Sequence, residues 1–183
     1  MKDPIVRGHP IHAVLTDVPI GALVGAVVFD ALGLITRGDQ WGFAAQATVG
    51  VALVGGIGAA LVGLWDYQAV PRDSPTRSMG ARHGILNTVV LVLLAASFGL
   101  RYGVGMVPAL GQVASLLGLA LVGYTGWLGS QMVYDQGWRV KPAEYDEQIE
   151  ASLRQAGNTA TIEQAHTTVE QYAREHDLLP HTR

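Results

Sequence analysis

Apolar residues come in four long runs along this chain, at about 18–35, 42–65, 84–100 and 107–133. Each approaches the ~20 residues that an α-helix needs to cross bilayer hydrocarbon. Polar residues collect between them: TRGDQ at 36–40, a longer stretch at 66–83, and RYGVGM at 101–106. The pattern predicts an all-α fold, an integral membrane four-helix bundle. The first and third connections are short, so helices 1 and 2 and helices 3 and 4 should form antiparallel hairpins. The middle connection carries Pro71, Pro75 and the arginines Arg72, Arg77 and Arg82, and reads as an irregular polar loop.

The start of helix 1 has two readings. Asp17 followed by Val18 and Pro19 is a good N-terminal signature, a carboxylate to cap and a proline in the first turn. Residues 9–16 would then be a separate short interfacial helix. Alternatively the helix starts at Pro10 and kinks at Pro19. The capping signature favours the first reading.

Beyond residue 141 the pattern changes. Residues 1–141 hold nine Lys/Arg and seven Asp/Glu, a net of +2, whereas 142–183 hold three and eight, a net of −5. We therefore expect a four-transmembrane-helix domain over 1–141 and an acidic helical tail over 142–183. The tail reads as two polar helices, 142–155 and 159–178, parted at Gly157 and Asn158, with Thr161 and Gln164 as a capping box. Its thin apolar stripe, Ile162, Ala165, Val169 and Tyr172, is too small to bury a core alone.

Composition agrees with a bilayer setting. Charged residues are 15% of the chain, against about 25% in soluble domains. The 23 glycines suit helices packed closely in lipid. No basic face suggests nucleic acid. The absence of cysteine removes disulfides, thiolate zinc sites, Cys-ligated iron–sulfur clusters and covalent haem attachment. No cleavable signal pattern appears, so the first helix is expected to be retained. Lys2, Arg7, Arg72, Arg77, Arg82, Arg139 and Lys141 fall on one side, and Arg37 and Arg101 on the other. The positive-inside rule then places both termini in the cytoplasm of a multi-pass protein. Trp41, Trp65, Tyr102 and Trp138 fall near the interfaces, as belt residues do. Gly21 and Gly25 have the small-residue spacing of a close helix contact, either internal or the seam of a homodimer.

The chain also echoes itself. HAVLT at 12–16 and HGILN at 83–87 begin helices 1 and 3, and the hairpins end alike at Trp65-Asp66 and Tyr134-Asp135. The spans from His to Asp are 54 and 52 residues. A duplication of this kind relates two hairpins by an axis along the membrane normal, and sets His12 facing His83.

With or without duplication, the topology gathers His9, His12, Asp17, Asp66, His83, Asn87, Gln131, Tyr134 and Asp135 at one end of the bundle. Ionisable groups at membrane level mark function by default. Haem b held by His12 or His9 with His83 is one reading, since two histidines on facing helices suit axial ligation. Asn87 lies one turn from His83, and Gly84 leaves room for a flat macrocycle. A metal ion held by His9, His12, His83 and Asp17 or Asp66 is a second. A proton or ion path toward Asp30, which would pair with Arg37 or Arg101, is a third. Against these stands a structural reading, in which Asp17 and Asp66 cap helices and the histidines bond backbone or headgroups. No nucleophile elbow, P-loop, His-Glu-x-x-His or dinucleotide fingerprint is present, so the chain reads as non-catalytic. A membrane scaffold, or a partner subunit acting through its tail, is the alternative from a different class.

GHPIHAVLTDVPIG at 8–21 resembles the opening signature of a bacterial family of predicted membrane proteins, the domain of unknown function 2231. GLWD at 63–66, ARHGILN at 81–87, and GYTGWLG at 123–129 with Val133, Tyr134 and Gly137 are similar to its later motifs, in the same order. The resemblance covers about 7–140. It implies four transmembrane helices in the bacterial inner membrane and no established activity. Similar domains are often fused to Rieske iron–sulfur domains, which implies a redox protein partner. Members of the family often carry His where Gln131 stands, so a ligand from helix 4 is not expected here.

Overall fold

The computed structural model describes residues 4–6, 9–101, 108–136, 138 and 154–157. The chain divides into two compact units, 1–129 and 130–183. The helices are α1 (Ile11–Thr36), α2 (Asp39–Gln68), α3 (Pro75–Arg101) and α4 (Pro108–Tyr134). Ahead of them, β1 (Ile5–Val6) and β2 (His9–Pro10) make one short antiparallel pairing, Ile5 with Pro10 and Val6 with His9. All four helices are long and apolar enough to cross a membrane. At 26 to 30 residues they run to about 40–45 Å at 1.5 Å per residue, longer than the ~30 Å of hydrocarbon.

Their residues are sorted inside-out relative to a soluble bundle. Ala26, Ala45, Ala52, Ser97, Ser115 and Gly118 are buried, while Leu34, Val54, Val92 and Leu116 are exposed. In lipid there is no hydrophobic gain in hiding Leu from Leu. Small side chains that let backbones approach take the interior instead. The core cluster, Leu23, Ala26, Val49, Ala52, Val90 and Leu94, draws on the first three helices, with Leu119, Leu121 and Val122 of α4 against it.

Two helix starts differ from the sequence reading. α1 begins at Ile11 and runs unbroken through Pro19, so residues 11–16 are not a separate interfacial helix and Asp17 caps nothing. On α2, glycines 55 and 56 pack beside this proline. A Cβ on Gly55 would sit 3.4 Å from Pro19 Cδ, and one on Gly56 would sit 3.7 Å from Pro19 Cβ. α3 begins at Pro75, nine residues before the predicted start, so much of the expected irregular loop is helix. Pro75 opens the helix, where its missing N–H has no partner to lose. Arg77 then ties the turn back, donating from Nη1 to Tyr67 O at 2.9 Å and Val70 O at 3.1 Å, with its guanidinium 4.0 Å over the Tyr67 ring. The first connection is as tight as expected: Arg37 is left-handed, at φ 54°, and its N–H closes on Gly33 O at 2.9 Å.

The two hairpins bury the same register. In α1 and α3 the buried positions pair as Leu23 with Leu94, Ala26 with Ser97 and Asp30 with Arg101, each 71 residues apart. In α2 and α4 they pair as Ala45 with Gly111, Val49 with Ser115, Ala52 with Gly118 and Ala59 with Thr125. His12 and Thr16 correspond to His83 and Asn87 in the first register, as the sequence echo has it. The hairpin ends do not correspond as expected. The second register pairs Gly63 with Gly129, which makes Met132, and not Asp135, the equivalent of Asp66 in sequence.

The Gly21 and Gly25 spacing divides between two surroundings. A Cβ on Gly25 would lie 3.5 Å from Thr48 Cγ2 of α2, whereas one on Gly21 would meet nothing within 4 Å. In the second unit, the N–H groups of Asp135 and Gln136 both close on Gln131 O, at 3.0 and 3.2 Å. The predicted tail helices lie outside the described residues apart from 154–157, where Gly157 turns at φ 71°.

Candidate functional site: a facing histidine pair

Each hairpin seats one histidine on the backbone of its second helix. His12, in the first turn of α1, has Nδ1 2.9 Å from Ala59 O of α2. His83 of α3 has Nδ1 2.9 Å from Thr125 O of α4. A carbonyl only accepts, so Nδ1 carries a proton in both rings, and in the neutral imidazole Nε2 is the nitrogen without one. In both hairpins the residue one turn beyond the carbonyl is glycine, and in the first the ring leaves no room for a side chain there. A Cβ on Gly63 would lie 2.7 Å from His12 Cε1, and one on Gly129 would lie 3.4 Å from His83 Cε1. Carbonyl at one position and glycine four later is therefore a seat built twice. The two rings meet with centroids 6.4 Å apart and planes at 88°.

The surroundings of the two rings differ. Asn87 Nδ2 stands 3.1 Å from His83 Nε2 and also donates to His83 O at 2.9 Å. Its Oδ1 accepts from Thr125 Oγ1 at 3.2 Å. In the first hairpin the corresponding residues are Thr16, whose hydroxyl bonds Ala13 O at 2.7 Å, and Ala59, which has no hydroxyl. Among the described residues nothing bonds His12 Nε2.

The remaining candidates do not converge on this pair. Asp17 is exposed on α1, and Asp66 is buried in the last turn of α2. Among the described residues no three His, Asp or Glu side chains form a group that holds a metal ion. His12, His83, Asp17 and Asp66 thus do not form such a group. The His9 backbone pairs with Val6, and its side chain lies outside the described residues.

A second polar layer lies at the other end of the bundle. Arg101 makes a two-pronged pair with Asp30, Nη1 to Oδ1 and Nη2 to Oδ2, both at 2.6 Å. Of the two partners foreseen for Asp30, it is Arg101 that takes it. Along α1, Asp30 lies about 27 Å from His12 at 1.5 Å per residue. Leu23 and Leu94, 1% and 2% exposed, fill the interior between the layers together with Ala26, Val49 and Ala52. The cluster-to-Asp30 path therefore meets a tightly packed apolar layer.

Sequence reasoning named both histidines and Asn87, but not their seats. Gly63 and Gly129 were visible as motif glycines. What assigns them a role is the position four residues after a carbonyl that takes an imidazole. Thr125 carried no signal of its own.

Four apolar membrane-crossing helices with two polar layers define a multi-pass membrane protein. The chain belongs to the predicted membrane protein family DUF2231, whose family model matches residues 8–142. No curated protein and no solved structure matches it.

Proposed function

We propose that this domain is a redox-associated membrane module that holds haem b, or failing that a metal ion, between His12 and His83. The observation that carries the reading is the pair itself. Both rings are fixed on carbonyls through Nδ1–H, the tautomer that leaves Nε2 for a metal. Two imidazole nitrogens on opposite sides of one metal, at about 2 Å each, lie about 4 Å apart. Adding the ring radius on each side gives centroids roughly 6 Å apart, against the 6.4 Å observed.

The scarcity of further ligands favours haem over a bare ion. A tetrahedral ion needs four donors, and the described residues do not bring a third ionisable one to the pair. A macrocycle supplies its own equatorial nitrogens and asks the protein for two axial ones. Gly84, beside His83, is exposed and carries no side chain to obstruct a group approaching from that surface. Ligation through His83 requires Asn87 to leave Nε2, and its bonds to His83 O and Thr125 remain to hold it.

By the positive-inside rule the histidine end faces the cytoplasm of a bacterial inner membrane, with both termini on that side and 142–183 as an acidic tail. A cytoplasmic redox protein would then be the electron partner. Transport is the weaker reading, because the Leu23 and Leu94 layer closes the interior. The Gly21/Gly25 homodimer seam is weaker too, since Gly25 faces Thr48 of its own chain.

The test is the haem and metal content of full-length protein purified in detergent from cells supplied with both. One haem per chain, lost in His12→Ala and in His83→Ala, is expected. Protein that folds with neither haem nor metal overturns the reading and leaves the scaffold, with its tail as the binding element.

A further inference from the structure

The Asp30–Arg101 pair is more than a buried ion pair. Its two members hold equivalent positions in the two hairpins, so it sits where a symmetric bundle would place like against like. In this chain the position is acidic in one hairpin and basic in the other. We propose that Asp30 and Arg101 are the clasp that docks α3–α4 on α1–α2 in one register, and that Ser97, Gly111 and Ser115 decide which hairpin carries the arginine.

The hydrogen bonds give the reason. Arg101 donates from Nε to Ser97 Oγ at 3.2 Å and from Nη2 to Ser115 Oγ at 3.1 Å, besides the two bonds to Asp30. Ser97 donates to Gly111 O at 2.7 Å. Its single hydrogen is then committed, so in the 2.7 Å contact between the two hydroxyls Ser115 is the donor. The network has one direction, from guanidinium to hydroxyls to carbonyl, and both carboxylate oxygens are occupied. Gly111 makes room for it, since a Cβ there would lie 2.9 Å from Arg101 Cγ and 3.0 Å from Ser97 O.

The equivalent residues around Asp30 are Ala26, Ala45 and Val49, all fully buried. None has a hydroxyl, and none is glycine. A guanidinium placed at position 30 would find neither the acceptors nor the space that Arg101 has. An undocked hairpin exposes a lone charge to lipid, and an undocked or slipped pair leaves both charges unmatched. Docking in register removes both penalties together. This inference is independent of what the histidines bind.

The experiment uses the full chain in detergent micelles and reads the equilibrium between folded and unfolded protein by denaturant titration. Asp30→Asn and Arg101→Met, made singly, are expected to lower the folded-to-unfolded ratio by roughly a hundredfold or more. The double variant D30N/R101M recovers most of that loss, because no charge is left alone. The swap D30R/R101D remains as poor as the single variants. Adding A26S, A45G and V49S to the swap returns the ratio to within about tenfold of the native chain. Single variants that match the native chain would overturn the clasp. So would a double variant no better than the singles. A bare swap as stable as the native chain, or a five-site variant no better than the bare swap, would overturn the assignment of direction to Ser97, Gly111 and Ser115.

Discussion

His12 and His83, 71 positions apart in the chain, stand with ring centroids 6.4 Å apart and planes at 88°, each anchored through Nδ1 to a carbonyl of the helix that follows it. The relationship depends on two copies of one hairpin register and a reachable helix carbonyl in each, and in the first hairpin on a glycine one turn beyond that carbonyl.

The glycine seats are unequal. Gly63→Ala would drive a methyl to 2.7 Å from His12, whereas Gly129→Ala places one at an ordinary 3.4 Å from His83. Gly63→Ala is expected to destabilise the protein by about 1–3 kcal/mol, the usual cost of overpacking, and to cut haem content. Gly129→Ala is expected to cost less than about 1 kcal/mol. Denaturant titration and haem assay on both variants check the difference.

Asn87 occupies the nitrogen that a metal would need. Asn87→Ala removes a competitor and also leaves the Thr125 hydroxyl without that acceptor. The variant should lose about 1 kcal/mol of stability without ligand, yet bind haem several-fold more tightly, in proportion to the ~1 kcal/mol net of one hydrogen bond. Denaturant unfolding of protein stripped of ligand measures the first, and haem titration of the same protein measures the second.

If the hairpins share one register, equivalent core residues should cost alike. Leu23→Ala and Leu94→Ala each empty a site that is 1–2% exposed. Each is expected to cost about 2–5 kcal/mol, with the two values close to one another. A large gap between them in unfolding titrations would speak against equivalence.

Gly111 and Gly21 make a matched control within the small-residue pattern. Gly111→Ala meets the Ser97 carbonyl at 3.0 Å, a backbone atom that cannot swing aside, whereas Gly21→Ala meets nothing. The first should cost about 1–3 kcal/mol, and the second should change stability by no more than about 0.5 kcal/mol. Thermal or denaturant unfolding in detergent separates them.

The sequence made the four helices legible because a bilayer demands long apolar runs, and few other structures offer them. The extents of α1 and α3 were harder to read. Pro19 reads as a helix start because proline suits a first turn, yet α1 begins at Ile11 and carries it inside. The first turns of α3 looked like loop because they are polar, and the Arg77 anchor to Tyr67 and Val70 joins residues that no local pattern links. His12, His83 and Asn87 stood out as polar residues at membrane level. Their partners did not, since Ala59 contributes only a carbonyl and Gly63 only the lack of a side chain. The repeat was visible in HAVLT and HGILN but misaligned at the hairpin ends. There a shared aspartate caught the eye, while the register is kept by glycine.

The central claim is that His12 and His83 together ligate one group, and the reduced-minus-oxidised absorption spectrum of purified protein tests it most directly. The account predicts a Soret band with sharp reduced α and β bands of a low-spin, two-imidazole haem. It also predicts that His12→Ala and His83→Ala each abolish that spectrum or convert it to a form with one imidazole. A featureless spectrum and no bound metal, in protein purified from cells supplied with both, would contradict it, as would haem bands unchanged in both variants.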